Sequence, residues 1–432
     1  MKPRLVIIDG VRTPFCKAGT DLAHLDAVEL GRLAVTALLT RTGFNPALVN
    51  EVIFGCVSQP ADAANVARVI ALRSGIPEHV PAVTVHRNCA SGIESLTQAY
   101  EKMCAGHGRV FIVGGTESMS QMPLLFSPRA AQKFSRLARA KSFTQKLGAL
   151  AAFRPRDFQP RVGLQLGLSD PVSGLNMGET AELLAREFSI SREEQDAFAL
   201  ESHQRAVAAR DKLAGEICPV LLAGSVRAAA SAAIVSDNGP RESQSPAALA
   251  KLRPVFAKQF GTVTAGNSSQ ITDGAVALLV MDEERARELG LVPLGALVDY
   301  AVTGCDPARM GLGPLPALAR LERQTGLIVE DADLIEVNEA FATQTLAVLK
   351  GAASREFARE HLHRDQPLGI ISRDKLNVNG GAIALGHPVG ATGARLVLTS
   401  LKELQRRQAR RALVTLCVGG GQGAALWLER MI

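Results

Sequence analysis

With 432 residues, 47% of them hydrophobic and 21% charged, the chain is too long for one ordinary core and too apolar to be disordered. Its formal charge of +6 suits an anionic ligand, but one Trp and two Tyr leave few aromatic platforms for stacking nucleic-acid bases. Seven cysteines without a C-x-x-C pair indicate neither a disulfide framework nor a zinc knuckle, and fit a reducing cytosol.

No secretory or transit peptide is expected ahead of the opening strand, residues 4–8 (R-L-V-I-I), and no apolar run is long enough to span a membrane. A helix is predicted from Val28 to Arg41, with Leu30, Leu33, Ala34, Ala37 and Leu38 on one face and Gly43 as its stop. Strands follow at 50–57 and 82–86, and Arg87-Asn88-Cys89-Ala90-Ser91-Gly92 turns into a helix that ends at Gly106. Residues 109–113 (R-V-F-I-V) form the next strand. This alternation predicts an α/β architecture with a mostly parallel sheet.

The second half repeats the grammar: a helix near Leu315–Gln324, a strand over Asp333–Val337, and a strand at 412–420. Between them lies N-V-N-G-G-A-I-A-L-G-H-P-V-G-A-T-G-A-R, residues 377–395, a glycine-rich loop that opens a helix. From Ala394 onward Leu396, Val397, Leu401 and Leu404 recur at helical spacing. The helix after Cys89 leads to R-V-F-I-V-G-G, and the helix after His387 leads to A-L-V-T-L-C-V-G-G. Two such pairs in the same order predict an internal duplication. An insertion, roughly Gln121 to Gln244, separates the halves. Its segment Arg129–Arg161 carries nine basic residues against the single acid Asp157, with Phe134, Leu137, Leu147, Leu150 and Phe153 spaced through it. The segment reads as a solvated face, a platform for an anionic ligand, a membrane-surface helix or a partner-docking helix. Ser191-Arg192-Glu193-Glu194 then reads as a capping box opening a helix through Ala209, and 236–248 marks the return to the core.

Cys89 stands where a strand gives way to a helix, a position expected to lower a thiol's pKa. Cys16, Cys56, Cys104, Cys218 and Cys305 read as small buried hydrophobes. Cys417 ends the strand L-V-T-L-C and reads as the pseudo-equivalent of Cys89 in the other half; the glycines after it precede a strand, so no dinucleotide loop is expected. Backbone N–H groups beside such glycines suit an oxyanion. His387 precedes Pro388, which biases it toward an extended, presenting backbone suited to a fixed base. His361 and His363 are expected at the surface, and no metal site is indicated.

C-A-S-G-I, G-G-T-E-S-M-S, G-T-V-T-A-G-N-S-S, V-N-E-A-F-A, N-G-G-A-I-A-L-G-H-P-V-G-A-T-G and C-V-G-G-G-Q-G together resemble thiolase signatures, in thiolase order, over nearly the whole chain. The insertion, with S-R-L-A-R-A-K-S-F-T-Q-K-L, is similar to that of the thiolase subunits of fatty-acid β-oxidation complexes. The resemblance implies a five-layered α-β-α-β-α fold from two duplicated halves. The N-terminal half would span 1–286 (core 1–120 and 245–286, loop domain 121–244) and the C-terminal half 287–432. It implies that Cys89 is the acylated nucleophile, His387 its base, Asn338 the holder of an oxyanion-hole water, and Cys417 the acid/base at the substrate α-carbon. The N–H groups of Cys89 and Gly419 would form a second oxyanion hole. Ser269 would lie along the pantetheine of coenzyme A, with Met177 and Met310 near the acyl end.

The implied activity is cleavage of 3-ketoacyl-CoA by coenzyme A, which is a substrate rather than a permanently bound cofactor. The alternatives are the reverse condensation on short chains and, in a different class, a thiolase-like acyl-CoA or lipid carrier without turnover. The four reactive residues argue against the carrier, and a cysteine hydrolase would leave the second cysteine unexplained. The implied partners are a second copy or a tetramer, a β-oxidation hydratase/dehydrogenase subunit, or peripheral membrane, in the cytoplasm; nucleic acid is not among them. Two residues depart from the pattern: Asn338 stands where insertion-bearing subunits often have His, and Asn176 where short-chain enzymes often have His.

Overall fold

A computed structural model describes residues 3–221 and 233–431. Of the insertion expected over 121–244, residues 222–232 therefore lie outside the described residues. The chain divides into two compact units: Met1–Gln121 with Asp170–Ile432, and Met122–Ser169.

The larger unit is built on one ten-stranded sheet. Its strands are β1 (Leu5–Arg12), β2 (Glu51–Gly55), β3 (Ala82–Val85), β4 (Val110–Glu117), β5 (Thr272–Asp282), β6 (Gly295–Gly304), β7 (Leu334–Val337), β8 (Arg411–Val418) and β9 (Gln422–Arg430), with the short Cys16–Lys17 beside β5. Their order is β7-β8-β9-β6-β1-β5-β4-β2-β3. The sheet is mixed, which corrects the mostly parallel expectation. Only β7–β8, β4–β2 and β2–β3 run parallel; β1, β5, β6 and β9 pair antiparallel. The reason is visible at the C-terminus: the turn between β8 and β9 is too short for the crossover a parallel pair requires.

The helices that frame the site are α1 (Ala27–Thr42), α2 (Val66–Arg73), α3 (Ser91–Cys104), α4 (Met177–Glu187), α5 (Arg192–Ala208), α6 (Pro314–Thr325), α7 (Ala342–Ala353) and α8 (Val389–Arg407), with shorter ones between them. Local chemistry fixes their ends. The Asp26 side chain accepts from the Glu29 N–H to start α1, and Gly43 at φ 61 stops it in the left-handed region. Ser191 and Glu194 close the expected capping box at α5.

Alternating strand residues feed separate cores, as a period of two requires. Val52 and Phe54 of β2 join α1 and α2, whereas Ile53 joins α3 and α8. On the other side, Leu413 of β8 packs with α6 and α7, and Val414 turns back toward α3 and α8. The result is five layers: α1/α2, the first-half strands, α3/α8, the second-half strands, α6/α7. Burying α3 and α8 on all sides leaves room only for small contacts between them. A Cβ on Gly92 would meet Ala394 N at 2.5 Å, and one on Gly393 would meet Ile93 N at 2.6 Å. The helix expected from Ala394 accordingly begins at Val389, because Gly390 and Gly393 are close-packing helix residues rather than loop residues.

The topology also moves one equivalence. α3 feeds β4 and α8 feeds β8, so the counterpart of Cys89 is His387, each standing just before its helix. Cys417 lies instead on the counterpart of β4. Among the described residues no helix is long and apolar enough to cross a membrane.

Candidate active site

The turn that carries Cys89 is held from both sides. Asn88 takes a left-handed φ of 42, and Ser91 Oγ accepts from Arg87 N at 2.9 Å and donates to Asn88 O at 2.7 Å. Asn88 Nδ2 donates to Gly419 O at 2.7 Å, tying this turn to the glycine loop after β8. Cys89 is half-buried. Burial pushes its thiol up, while the backbone N–H groups of Gly419 and of Cys89 itself draw it down. The net direction is upward, which corrects the low pKa expected from the helix start. Cys89 precedes the N-cap Ala90, and desolvation outweighs the helix field there.

His387 is buried, 7% exposed, with a neighbour on each ring nitrogen. Nδ1 lies 2.6 Å from Thr392 Oγ1, and that hydroxyl donates to Pro388 O at 3.0 Å. With the hydroxyl hydrogen committed, Nδ1–H is the donor and Nε2 carries the free lone pair. Asn338 Nδ2 faces Nε2 at 3.5 Å, at the limit of a hydrogen bond. Burial, with a contribution from Arg395, lowers the imidazole to about 4, so it is neutral at pH 7. The backbone is anchored as well, His387 N donating to Thr272 Oγ1 at 3.1 Å. Asn338 is fully buried at the end of β7, and its Oδ1 has no partner among the described residues.

Cys417, near the end of β8, is 1% exposed, and burial followed by the charge of Cys89 raises its thiol well above the ordinary range. Proximity to Cys89 is therefore part of its electrostatics. It sits in an apolar cluster with Ala181, Val263, Met310, Ala340 and Phe341, against which Met177 and Phe256 pack. Gly420 and Gly421 follow at φ 87 and 80, a pair of left-handed residues that turns the chain into β9. A Cβ on Gly419 would stand 3.4 Å from Met177 Sδ, so α4 begins directly against the loop. Asn176, one of the two departures, is the N-cap of α4, accepting from Glu179 N at 3.0 Å. Ser269 is half-buried, its N–H donating to Ala340 O at 2.9 Å within the N-E-A-F loop. Cys89, Asn338, His387 and Gly419 thus lie on interconnected loops, with Cys417 on the end of β8 beside them and Met177 and Met310 in the apolar wall; Ser269 borders the Asn338 loop.

Two expectations about the remaining cysteines fail: Cys104 is exposed and Cys305 half-buried, because each lies at or beyond the end of an element rather than on its core face. Three supporting acids had no assigned part in the sequence reading. Glu117, raised to about 7 by burial, accepts from Val57 N (3.1 Å), Ser58 N (2.8 Å) and Gly390 N (2.8 Å), tying β4 to the first turn of α8. Glu339 accepts from Ser202 Oγ (2.6 Å) and Asn377 Nδ2 (2.8 Å), fixing the loop ahead of His387. Glu336 pairs with Arg395 at 3.0 Å, joining the strand of Asn338 to α8. The signal for Glu117 and Glu339 was an acid inside an otherwise uncharged motif, G-G-T-E-S and V-N-E-A-F, and for Glu336 an acid within the apolar strand L-I-E-V.

Comparison with known proteins gives a consistent result. The thiolase N-terminal domain model matches residues 5–284, and the thiolase C-terminal domain model residues 291–430. A 3-ketoacyl-CoA thiolase of Yersinia pestis (strain Pestoides F) is 41% identical over 429 residues, covering 99% of this chain and 97% of that protein. Among solved structures, Bacillus anthracis acetyl-CoA acetyltransferase superposes with a TM-score of 0.87 at 36% identity, covering 100% of this chain and 99% of that one. Human mitochondrial 3-ketoacyl-CoA thiolase in complex with CoA gives 0.83 at 36% identity, covering 100% and 98%. With two domain models matched in order from Leu5 to Arg430 around this cysteine–histidine–cysteine arrangement, the chain belongs to the thiolase family.

Proposed function

We propose that the chain is a 3-ketoacyl-CoA thiolase of fatty-acid β-oxidation, cleaving its substrate with coenzyme A into acetyl-CoA and a shortened acyl-CoA. The observation that carries this reading is the state of His387. It is a buried, neutral imidazole whose Nδ1–H is committed to Thr392, leaving the Nε2 lone pair to take a proton.

In the first half-reaction His387 takes the Cys89 proton, and the thiolate attacks the 3-keto carbon. The bond between the α-carbon and that carbon breaks. Its electron pair passes to the acetyl-CoA enolate, which takes the Cys417 proton and leaves as acetyl-CoA. The acyl group remains on Cys89 as a thioester. In the second half-reaction Cys417 thiolate takes the proton of an incoming coenzyme A thiol, whose sulfur attacks the thioester carbonyl. Cys89 then leaves and recovers its proton from His387, so both thiols are restored.

Each role has a physical basis. A raised thiol pKa makes Cys417 a proton carrier that stays protonated until the enolate forms. The N–H groups of Gly419 and Cys89 favour negative charge at the Cys89 sulfur and suit the oxyanion of the acyl-enzyme. Buried Asn338, with an unpaired Oδ1 beside His387, suits a bridging water in the other oxyanion site. Met177 and Met310 supply apolar wall for an acyl chain, and Ser269, beside the N-E-A-F loop, suits the pantetheine amides. Because Cys89 and Cys417 act as free thiols, and all seven cysteines are unpaired, a reducing compartment such as the cytosol fits the chemistry.

The test is coenzyme A-dependent cleavage across 3-ketoacyl-CoA chain lengths, combined with intact-protein mass after exposure to acyl-CoA alone. Cleavage should extend beyond acetoacetyl-CoA, and one acyl group should add to the peptide holding Cys89. Turnover of acetoacetyl-CoA alone would favour the short-chain condensing enzyme. Acyl-CoA binding with neither turnover nor acylation would favour the carrier.

A further inference from the structure

Among the described residues two arginines are fully buried, Arg12 and Arg395, and they are used differently. The Arg12 guanidinium is fully paired: Nε donates to Glu216 Oε1 at 2.7 Å, and Nη1 and Nη2 fork onto Asp237 at 2.6 and 2.8 Å. Arg395 makes one such bond, Nη1 to Glu336 Oε2 at 3.0 Å, and its Nε and Nη2 have no partner among the described residues. A buried guanidinium built only as a tie takes the forked form, which satisfies its donors and offsets its charge. Arg395 leaves two donors free and part of its charge uncompensated.

Where that charge stands follows from the elements the pair joins. Ile335 and Val337 of β7 pack with α6 and α7, so by the strand's period of two Glu336 and Asn338 point the other way, toward α8. Asn338 N continues the ladder, donating to Thr415 O at 3.0 Å. Two successive rungs therefore join β7 to α8 and the residue ahead of it: Glu336 to Arg395 at 3.0 Å, and Asn338 Nδ2 to His387 Nε2 at 3.5 Å. The first is short and charge-assisted, and it fixes a spacing that the second, at the limit of a hydrogen bond, cannot fix for itself.

After burial, the charge of Arg395 is what disfavours a proton on the His387 ring. Carboxyls on the other elements packed around this loop are committed elsewhere. Glu117 of β4 accepts from Val57, Ser58 and Gly390, Glu339 from Ser202 and Asn377, and Asp273 of β5 from Ser120. The thiols of Cys56, Cys89 and Cys417 are all pushed up by burial and stay protonated. Glu336 is itself raised to about 7 by burial. As it takes up a proton, Arg395 loses its counter-charge and the imidazolium becomes harder still to form.

We propose that Arg395 is a positioning residue for the His387 base: its bond to Glu336 sets the spacing of Asn338 from His387, and its uncompensated charge keeps a second proton off the resting ring. This rests on the proposed function, in which His387 receives the Cys89 proton. The same charge then favours return of that proton to Cys89 when the acyl group leaves.

The experiment compares Glu336→Gln, Arg395→Lys and the double variant Arg395→Met with Glu336→Gln, which leaves no buried charge unpaired and so retains the fold; thermal melting checks this. The His387 titration is read by NMR on histidine-labelled protein, its signal assigned by its loss in His387→Ala. In the double variant the midpoint should rise from near 4 by about one pH unit, the effect of one neighbouring charge. Cys89 acylation at pH 5 should then fall to about half of its pH 8 rate, where the wild type keeps about nine tenths. With the rung gone, kcat at pH 8 should drop roughly 10- to 100-fold while KM for acyl-CoA holds, as for a displaced reacting group. Arg395→Lys keeps the charge and should leave the midpoint near 4. Glu336→Gln keeps an acceptor oxygen and removes the counter-charge, so its midpoint should stay at 4 or move lower. A purely structural pair would shift Glu336→Gln and the double variant in the same direction, and that result, or an unmoved midpoint in the double variant, would overturn the proposal. Should the NMR midpoint move as expected while wild-type Cys89 takes up no acyl group, the proposed function falls and the hold of Arg395 on the imidazole stands.

Discussion

The starts of α3 and α8 are the same structure used twice. Each helix follows a tight turn, carries a glycine in its first turns so that the other can approach, and feeds a central strand. The residue before the helix differs: Cys89 in one half, His387 in the other. So do the surroundings. Cys89 is half-open and faces the N–H groups of its own turn and Gly419, whereas His387 is closed in, its ring fixed by Thr392. Duplication supplies two facing helix ends, and the proposed mechanism has divergence make one the nucleophile and the other its base. The third group, Cys417, comes from a different level of the repeat, a strand rather than a helix start. The site is therefore asymmetric although its scaffold is nearly symmetric.

The comparison breaks most severely at the cysteines. Cys89→Ala should abolish both acylation and turnover. Cys417→Ala should leave acylation by labelled acetyl-CoA intact on the peptide holding Cys89, while acetoacetyl-CoA cleavage falls by roughly 10²–10⁴-fold, the range of a positioned acid/base. Intact mass and steady-state rates on the two variants decide it. A Cys417→Ala protein with normal cleavage, or one that is folded yet acetylated nowhere, would mean that the two thiols do not divide the work this way.

The closed surroundings of His387 predict a pH dependence. Its pKa is lowered to about 4 from an ordinary 6.5, so the neutral base persists in mildly acid solution. The rate of Cys89 acylation should stay flat as pH falls from 8 to 5.5, with the limb due to His387 nearer 4; a midpoint near 6.5 would show an ordinary solvated imidazole. For stability the sign is fixed by the same shift. Below pH 6.5 the unfolded chain takes up a proton that the folded chain refuses, so this histidine's contribution is full above 6.5 and is lost as pH falls toward 4. Urea unfolding at successive pH values measures it.

Much of this was legible in the residues, for reasons that mark where legibility ends. Helices such as α1 and α6 are written in apolar periodicity and closed by Gly43 and Gly326, both left-handed in the structure. The antiparallel strands were not legible, because a strand's direction depends on what it pairs with and not on its own alternation. The start of α8 was misread because Gly390 and Gly393 look like loop residues until α3 is placed against them. The pKa of Cys89 came out with the wrong sign for a related reason. A helix start is a local feature, whereas the desolvation that outweighs it comes from the packed core around Cys89, much of it from α8 and β8, hundreds of positions away. Motifs pointed to the groups that the structure brings together; the acids that brace them, Glu117 and Glu339, needed the folded neighbours.

The smallest expected effect tests the finest point of the comparison, that His387 is a base because one neighbour fixes its tautomer. Thr392→Val keeps the shape and removes the oxygen that accepts from Nδ1–H. The ring then loses the acceptor that holds the proton on Nδ1, only the 3.5 Å contact of Asn338 Nδ2 with Nε2 still favours that tautomer, and part of the population carries the proton on Nε2, where it cannot accept from Cys89. One hydrogen bond of about 0.5–1.5 kcal/mol corresponds to a loss of roughly 2- to 12-fold in acylation rate. A purely structural role would lower thermal stability and leave the pH profile in place. A tautomer role moves the acid limb, because the buried Nδ1–H loses its acceptor and the imidazolium is harder still to form. The limb should therefore shift further toward acid while KM for acyl-CoA holds. Thr392→Ser, which retains the hydroxyl, should restore both rate and limb. If Val and Ser behave alike, the oxygen does not set the tautomer, and the difference between the two helix starts must be sought in burial alone.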